Sequence, residues 1–181
     1  MAIATRITIE EYLAQPFSDE LEFIHGEVRE KPVGNADHGV LAAFIFRCFL
    51  YYVDRFGGQA GIEGRSRFLD PSDPRFMLPD LLLYRRGMRF REGLMLLPPT
   101  ITAEVRSPDQ TMAKQRERCR YYVAHGVEEA WLVDPVRRVF EVFDRERNGA
   151  AQTKGIFASL ALPGLTVDLD NMFARLDDQE A

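Results

Sequence analysis

A chain of 181 residues, 46% hydrophobic and 28% charged, has the size and composition of one globular domain with a real core and is too short for two comfortable ones. No basic and apolar run resembling a signal peptide opens it, and the longest apolar stretch, Val40 to Val53, is interrupted by Arg47 and falls short of the roughly 20 residues that cross a bilayer; the expectation is a cytoplasmic protein with no membrane partner. The net charge of −5 argues on its face against nucleic acid, but Arg85 to Arg120 holds nine basic residues against four acids, a basic lobe on an acidic chain that suits phosphate contact or a solvated face equally well.

In chain order, Thr8 stands three residues before Glu11, the capping-box pattern, and opens a short helix. Leu21–Ile24 and Glu27–Glu30 flank His25-Gly26, a hairpin with a two-residue turn. From Asp37 to Phe56, apolar residues recur at Leu41, Phe44, Ile45, Phe49, Tyr52 and Val53, which is helical spacing, and Gly57-Gly58 ends it. Gln59 to Leu69 reads as extended, Asp70 to Pro74 as a turn, and Met77 to Tyr84 as one central strand, apolar on both faces. Gly87 to Pro99 is an apolar connection that packs down or supports a partner. A strand ends at Val105, Ser107-Pro108-Asp109 breaks it, and a helix follows from about Thr111 to Ala124, stopped by Gly126. Ala130–Asp134 and Val139–Phe143 are strands joined at Pro135, and Pro163 to Leu176 is a strand end and short helix, with Asp177 to Ala181 frayed. The order predicts an α/β (α+β) domain over residues 1–181, a mixed sheet flanked by helices, without repeats or linkers.

Cys48 and Cys119 lie in no metal or redox spacing, and His25, His38 and His125 form no H-x-x-x-H pair, which argues against a zinc hydrolase. The acids are more informative. Asp80 opens the apolar run Leu81-Leu82-Leu83, and Glu104 stands near the end of the next strand-like segment. A carboxylate inside an otherwise apolar strand needs a partner or a metal. Two such strands side by side would bring Asp80 and Glu104 together, a pair suited to Mg²⁺ completed by water and substrate phosphate.

These residues fall in a longer succession: Leu21-Glu22-Phe23-Ile24-His25-Gly26-Glu27, His38-Gly39, Pro79-Asp80-Leu81, Glu104-Val105-Arg106-Ser107-Pro108, and Gly126 through Pro135 with Trp131 at its centre. In order and spacing, from about residue 8 to 169, the chain resembles the Uma-type family of restriction endonucleases, itself similar to the PD-(D/E)XK nucleases. The resemblance implies a restriction-endonuclease-like fold and Mg²⁺-dependent (or Mn²⁺-dependent) hydrolysis of phosphodiester bonds, DNA being the expected partner and a homodimer the expected assembly. Carried over by position, it implies Asp80 and Glu104 as metal ligands, Glu22 as a further acid, and His38 as a substrate contact or helix cap. Gln115 is a weaker substrate-binding candidate.

The chain departs from that pattern in its cations. PD-(D/E)XK proteins place a lysine two residues after the second acid, where this chain has Arg106, and the Uma-type lysine of the following helix aligns with Arg118. Arginine stabilises negative charge but does not serve as a base. Lys114, one turn before Arg118, is the alternative ammonium, so the catalytic set reads Asp80 and Glu104 with Lys114, Arg118 or Arg106. The competing expectation is a catalytically impaired nuclease fold retained for binding DNA or protein. A purely structural oligomerisation module would leave the acid pair without a purpose.

Overall fold

The computed structural model describes residues 6–14, 21–32, 34–68, 75–88 and 97–177. Its elements in chain order are α1 (Ile9–Ala14), β1 (Leu21–Ile24), β2 (Glu27–Glu30), α2 (Ala36–Phe56), β3 (Gln59–Ile62), β4 (Ser66–Phe68), β5 (Arg75–Met77), β6 (Leu81–Tyr84), β7 (Ile101–Val105), α3 (Met112–Ala124), β8 (Glu129–Asp134), β9 (Val139–Phe143), β10 (Asn148–Gln152), β11 (Ile156–Ala158), β12 (Thr166–Asp168) and α4 (Leu169–Ala174).

Local chemistry sets the ends of several of these. The capping box forms as expected, with Thr8 N–H donating to Glu11 Oε2 at 2.7 Å and Glu11 N–H to Thr8 Oγ1 at 3.1 Å. His25 and Gly26 both take positive φ, 53° and 78°, the handedness a two-residue turn needs to match the twist of β1 and β2. Asn35 caps α2 by accepting the His38 N–H, and Thr111 caps α3 by accepting that of Lys114.

A six-stranded mixed sheet, in the order β10-β9-β8-β7-β6-β3, forms the centre. Its parallel neighbours are β7 and β8, joined by α3 as a parallel crossover requires. Side-chain alternation divides its strands between two helical layers. Leu81, Leu83, Ile101, Ala103, Val105, Trp131 and Val133 pack with Leu41, Ile45 and Phe49 of α2, while Ala130 and Leu132 pack with Cys119 and Tyr122 of α3. By length and composition α2 is apolar enough to cross a membrane; here one face of it covers the sheet. Cys119 is buried and Cys48 half-buried, both as free thiols.

A second, four-stranded antiparallel sheet runs β2-β1-β5-β4 and buries Phe23 and Phe76 against Tyr12 of α1. Its existence corrects one expectation. Met77–Tyr84 is not one strand: β5 ends at Met77 in the second sheet, and β6 begins at Leu81 in the first. Pro79 has no N–H to give a ladder and restricts Leu78 before it, so the chain leaves one sheet there and enters the other. The stretch from Gln59 is extended as expected, in β3 and β4, one in each sheet. Strands β10 and β11 were not expected; Asn148-Gly-Ala-Ala-Gln152 has neither β-branched residues nor alternation, and its strand state comes from pairing with β9. The Asp70–Pro74 turn and most of the Gly87–Pro99 connection fall outside the described residues.

Candidate active site

The break at Pro79 sets Asp80 one residue before β6. In the antiparallel β6–β7 ladder Leu81 lies opposite Ala103, so the next step outward sets Asp80 opposite Glu104. Both are buried, at 4% and 3% exposure, and side chains opposite one another in a sheet share a face. Asp80 Oδ2 accepts the Val105 N–H at 2.7 Å and lies 3.0 Å from His38 Nε2, while Oδ1 meets Lys31 Nζ at 2.5 Å. Glu104 is held through one oxygen: Oε1 accepts Arg118 Nε–H and the Tyr122 hydroxyl, each at 2.6 Å.

Glu22 reaches the cluster from β1. Its Oε1 accepts the Leu78 N–H at 2.8 Å and Arg118 Nη2–H at 2.5 Å, and its Oε2 accepts Arg118 Nη1–H at 3.0 Å. Arg118 also donates to the Leu78 carbonyl at 3.0 Å. One guanidinium thus ties β1 of the second sheet, the β5–β6 break and β7 of the main sheet.

The two facing acids are pushed apart electrostatically. Burial opposes ionisation of Asp80, but the His38 hydrogen bond and the charge of Lys31 outweigh it and hold Asp80 below the ordinary aspartate range. For Glu104 burial prevails over Arg118, and the negative charge of Asp80 adds to it, so this carboxyl lies above its ordinary value. Glu22 lies below its own, burial being outweighed by the charge and hydrogen bonds of Arg118. The hydrogen bond to Asp80 raises His38, and Lys31 is raised because Asp80 and Glu104 together exceed the cost of burying it. Facing groups with opposed shifts are a common arrangement in acid–base sites.

Of the residues singled out in the sequence, Asp80, Glu104, Glu22, Arg118 and His38 converge. His38 is not the cap of α2, a role Asn35 fills; its ring faces Asp80, and it packs so closely on Gly34 that a Cβ there would lie 2.3 Å from the imidazole. Glu22 is buried at 5% exposure, not an exposed hairpin residue. Arg106 stands apart, its guanidinium donating to Asp134 Oδ1 at 3.0 and 3.2 Å and to the Gln110 carbonyl at 3.2 Å. Lys114 lies four residues, about 6 Å, earlier along the α3 axis than Arg118; it is exposed and makes no ion pair among the described residues. Gln115 faces inward with Cys119 and Tyr122 at 6% exposure, and its Oε1 has no hydrogen-bond partner.

Three participants escaped the sequence reading. Lys31 looks like one more charge at the end of Glu27-Val28-Arg29-Glu30, Tyr122 like a core aromatic, and Glu63 like a loop residue; only long-range pairing reveals them. Four of the nine basic residues of the lobe are also engaged within the chain, Arg85, Arg106, Arg116 and Arg118 pairing with Glu128, Asp134, Glu141 and the site acids. A groove lined by Gly126, Glu128, Asp144, Glu146 and Leu160 contains none of these site acids.

Among the described residues, no group of three or more histidine, cysteine, aspartate and glutamate side chains is arranged to hold a metal ion. Asp80 and Glu104 nevertheless fit a hard divalent ion that keeps water and substrate oxygens. Both hydrogen bonds to Glu104 fall on Oε1, which leaves Oε2 for another ligand, and Asp80 Oδ1 already faces a cation. Glu22 fits less well, both its oxygens being engaged by Arg118 and Leu78.

Comparison with known proteins bears on the fold and the family. No curated protein matches the chain. A crystal structure described as a putative nuclease belonging to DUF820, from Anabaena variabilis, superposes with a TM-score of 0.82 at 22% identity, covering 94% of this chain and 99% of that one, a likeness of fold. The profile of the Uma2 family, described as putative restriction endonuclease, matches residues 9–173, which takes in every acid of the cluster. With nearly its whole length matched, the chain belongs to the Uma2 family.

Proposed function

We propose that the protein is an endonuclease that hydrolyses phosphodiester bonds of DNA with Mg²⁺ or Mn²⁺ held by Asp80 and Glu104. The observation that supports this most is the meeting of those two buried carboxylates, from adjacent strands, in a member of a restriction-endonuclease family. A divalent ion bound there would supply an acidified water and neutralise charge on the phosphoryl group.

The chain's own residues preorganise the pair. The Val105 N–H and His38 fix Asp80 as a carboxylate, and Arg118 with Tyr122 fixes the orientation of Glu104 through Oε1. Arg118 is a positioning residue: its nitrogens are engaged by Glu22, Glu104 and the Leu78 carbonyl, and a guanidinium does not take up a proton from water. Cutting both strands of a duplex favours two such centres, hence a homodimer.

A second reading, a nuclease fold that binds without cutting, is favoured by one observation: both carboxylates are already ion-paired with the chain's own Lys31 and Arg118. Supercoiled plasmid incubated with Mg²⁺ separates the two. The wild type should nick it, and Asp80→Asn and Glu104→Gln should each lower the rate by about 100-fold or more, the scale of losing a preorganised electrostatic group. Equal nicking by all three would assign the activity to a contaminant, and no nicking by any would favour the binding module.

A further inference from the structure

Lys31 follows β2 with its side chain only 10% exposed, yet its ammonium touches two carboxylates at different depths. Asp80 Oδ1, 2.5 Å away, belongs to a side chain 4% exposed, and Glu63 Oε1, 3.4 Å away, to one 54% exposed. The two acids are tied through the backbone, since the Glu63 N–H donates to the Asp80 carbonyl at 3.1 Å. Glu63 holds a φ of 50°, a left-handed conformation that a residue with a side chain adopts at some cost. A strained corner therefore sets a half-exposed carboxylate beside the ammonium that covers Asp80.

We propose that Lys31 is a displaceable internal counter-ion of the Asp80–Glu104 pair: it neutralises Asp80 when no divalent cation is bound, yields to that cation, and shifts to Glu63. The proposal rests on the metal-binding reading above and concerns what the ion must displace.

Three observations support it. The Val105 N–H and His38 both meet Asp80 at Oδ2, so Oδ1 of this buried carboxylate depends on Lys31, and losing that cation with no metal in its place would be strongly unfavourable. At 2.5 Å from Oδ1 the ammonium occupies the shell, roughly 2.0–2.6 Å out, that a hard divalent ion would take, and the two cations cannot share it. Finally, the two cations of the site differ in mobility. Arg118 is a rigid fork fixed at both ends by Glu22 and Glu104, whereas Lys31 is a point charge on a flexible four-carbon stem, already within reach of a second acid.

Calorimetric titration of the full chain with Mn²⁺ tests this without reference to activity. Lys31→Met and Lys31→Gln should bind Mn²⁺ at least tenfold more tightly than the wild type, with binding lost on adding Asp80→Asn. Glu63→Gln, at an exposed position that should not affect folding, should weaken binding severalfold when Lys31 is present and much less in the Lys31→Met background, a coupling that general loss of negative charge would not produce. Unchanged or weaker affinity in both Lys31 variants, still dependent on Asp80, would overturn the counter-ion role and leave the metal site standing. No binding by any variant would remove the metal site and the proposal together.

Discussion

Arg118 joins Glu104 at 2.6 Å through Nε, and the other edge of the same guanidinium closes on Glu22 at 2.5 and 3.0 Å. One cation thus bridges two buried acids from different sheets, with its own side chain 14% exposed. Arg118→Met would leave both acids unpaired. The expected loss is about 3–5 kcal/mol, the scale of breaking a buried ion pair from one side. Arg118→Lys should cost less but not nothing, because an ammonium cannot reproduce the fork on Glu22. Urea unfolding at pH 7 reads both; a midpoint for Arg118→Met indistinguishable from wild type would refute the stapling role.

The acids on Arg118 respond to pH in opposite senses. Glu22 is depressed in the folded chain, so its contribution is present above the ordinary carboxyl value and is lost as pH falls through the folded value. Glu104 is raised, so its contribution is complete below the ordinary value and is lost as pH rises through the folded one. Glu22→Gln should therefore be less stable than wild type at pH 7, and the gap should narrow at the acid end of a pH 3–7 unfolding series. Parallel curves across that range would show that Glu22 is not held ionised by folding.

His38 should titrate above an ordinary histidine because its hydrogen bond to Asp80 favours the charged ring, against the opposing effect of burial. A histidine NMR titration should show this, with the midpoint returning toward the ordinary value in Asp80→Asn. Gly34→Ala should do the same without touching either charge, since its methyl would collide with the ring. A His38 midpoint insensitive to both changes would mean that the contact is not made in solution.

Tyr122→Phe removes one of the two donors to a fully buried carboxylate oxygen. The expected cost is about 1–3 kcal/mol, that of leaving a buried acceptor short of a partner. The carboxyl of Glu104 should move further up, because the lost hydrogen bond favoured its charged form. A thermal melt measures the first effect; an unchanged melting temperature would show that the hydroxyl contributes nothing there.

What was legible in the sequence was whatever local chemistry dictates. The capping box at Thr8 and Glu11, the His25-Gly26 turn and the glycine end of α2 depend on neighbours a few residues apart. The Asp80–Glu104 meeting was legible because two apolar strands, each with one acid, leave few ways to pair. The break at Pro79 had a local signal too, but the apolar run across it masked the passage from one sheet to the other. Lys31 had none: its partners, Asp80 and Glu63, are brought to it by the fold alone. Lys114 misled for the reverse reason, since sharing a helical face with Arg118 does not bring an exposed first-turn residue to the carboxylates.

Asp80 and Glu104 should share one ion, and anomalous diffraction from crystals soaked in Mn²⁺ locates that ion directly. The predicted result is a single strong peak bonded to Asp80 and to Glu104 through Oε2, with Glu22 still on Arg118 and the Lys31 ammonium moved from Asp80 to Glu63. A peak elsewhere, or none at millimolar Mn²⁺ with Lys31 still on Asp80, would contradict it.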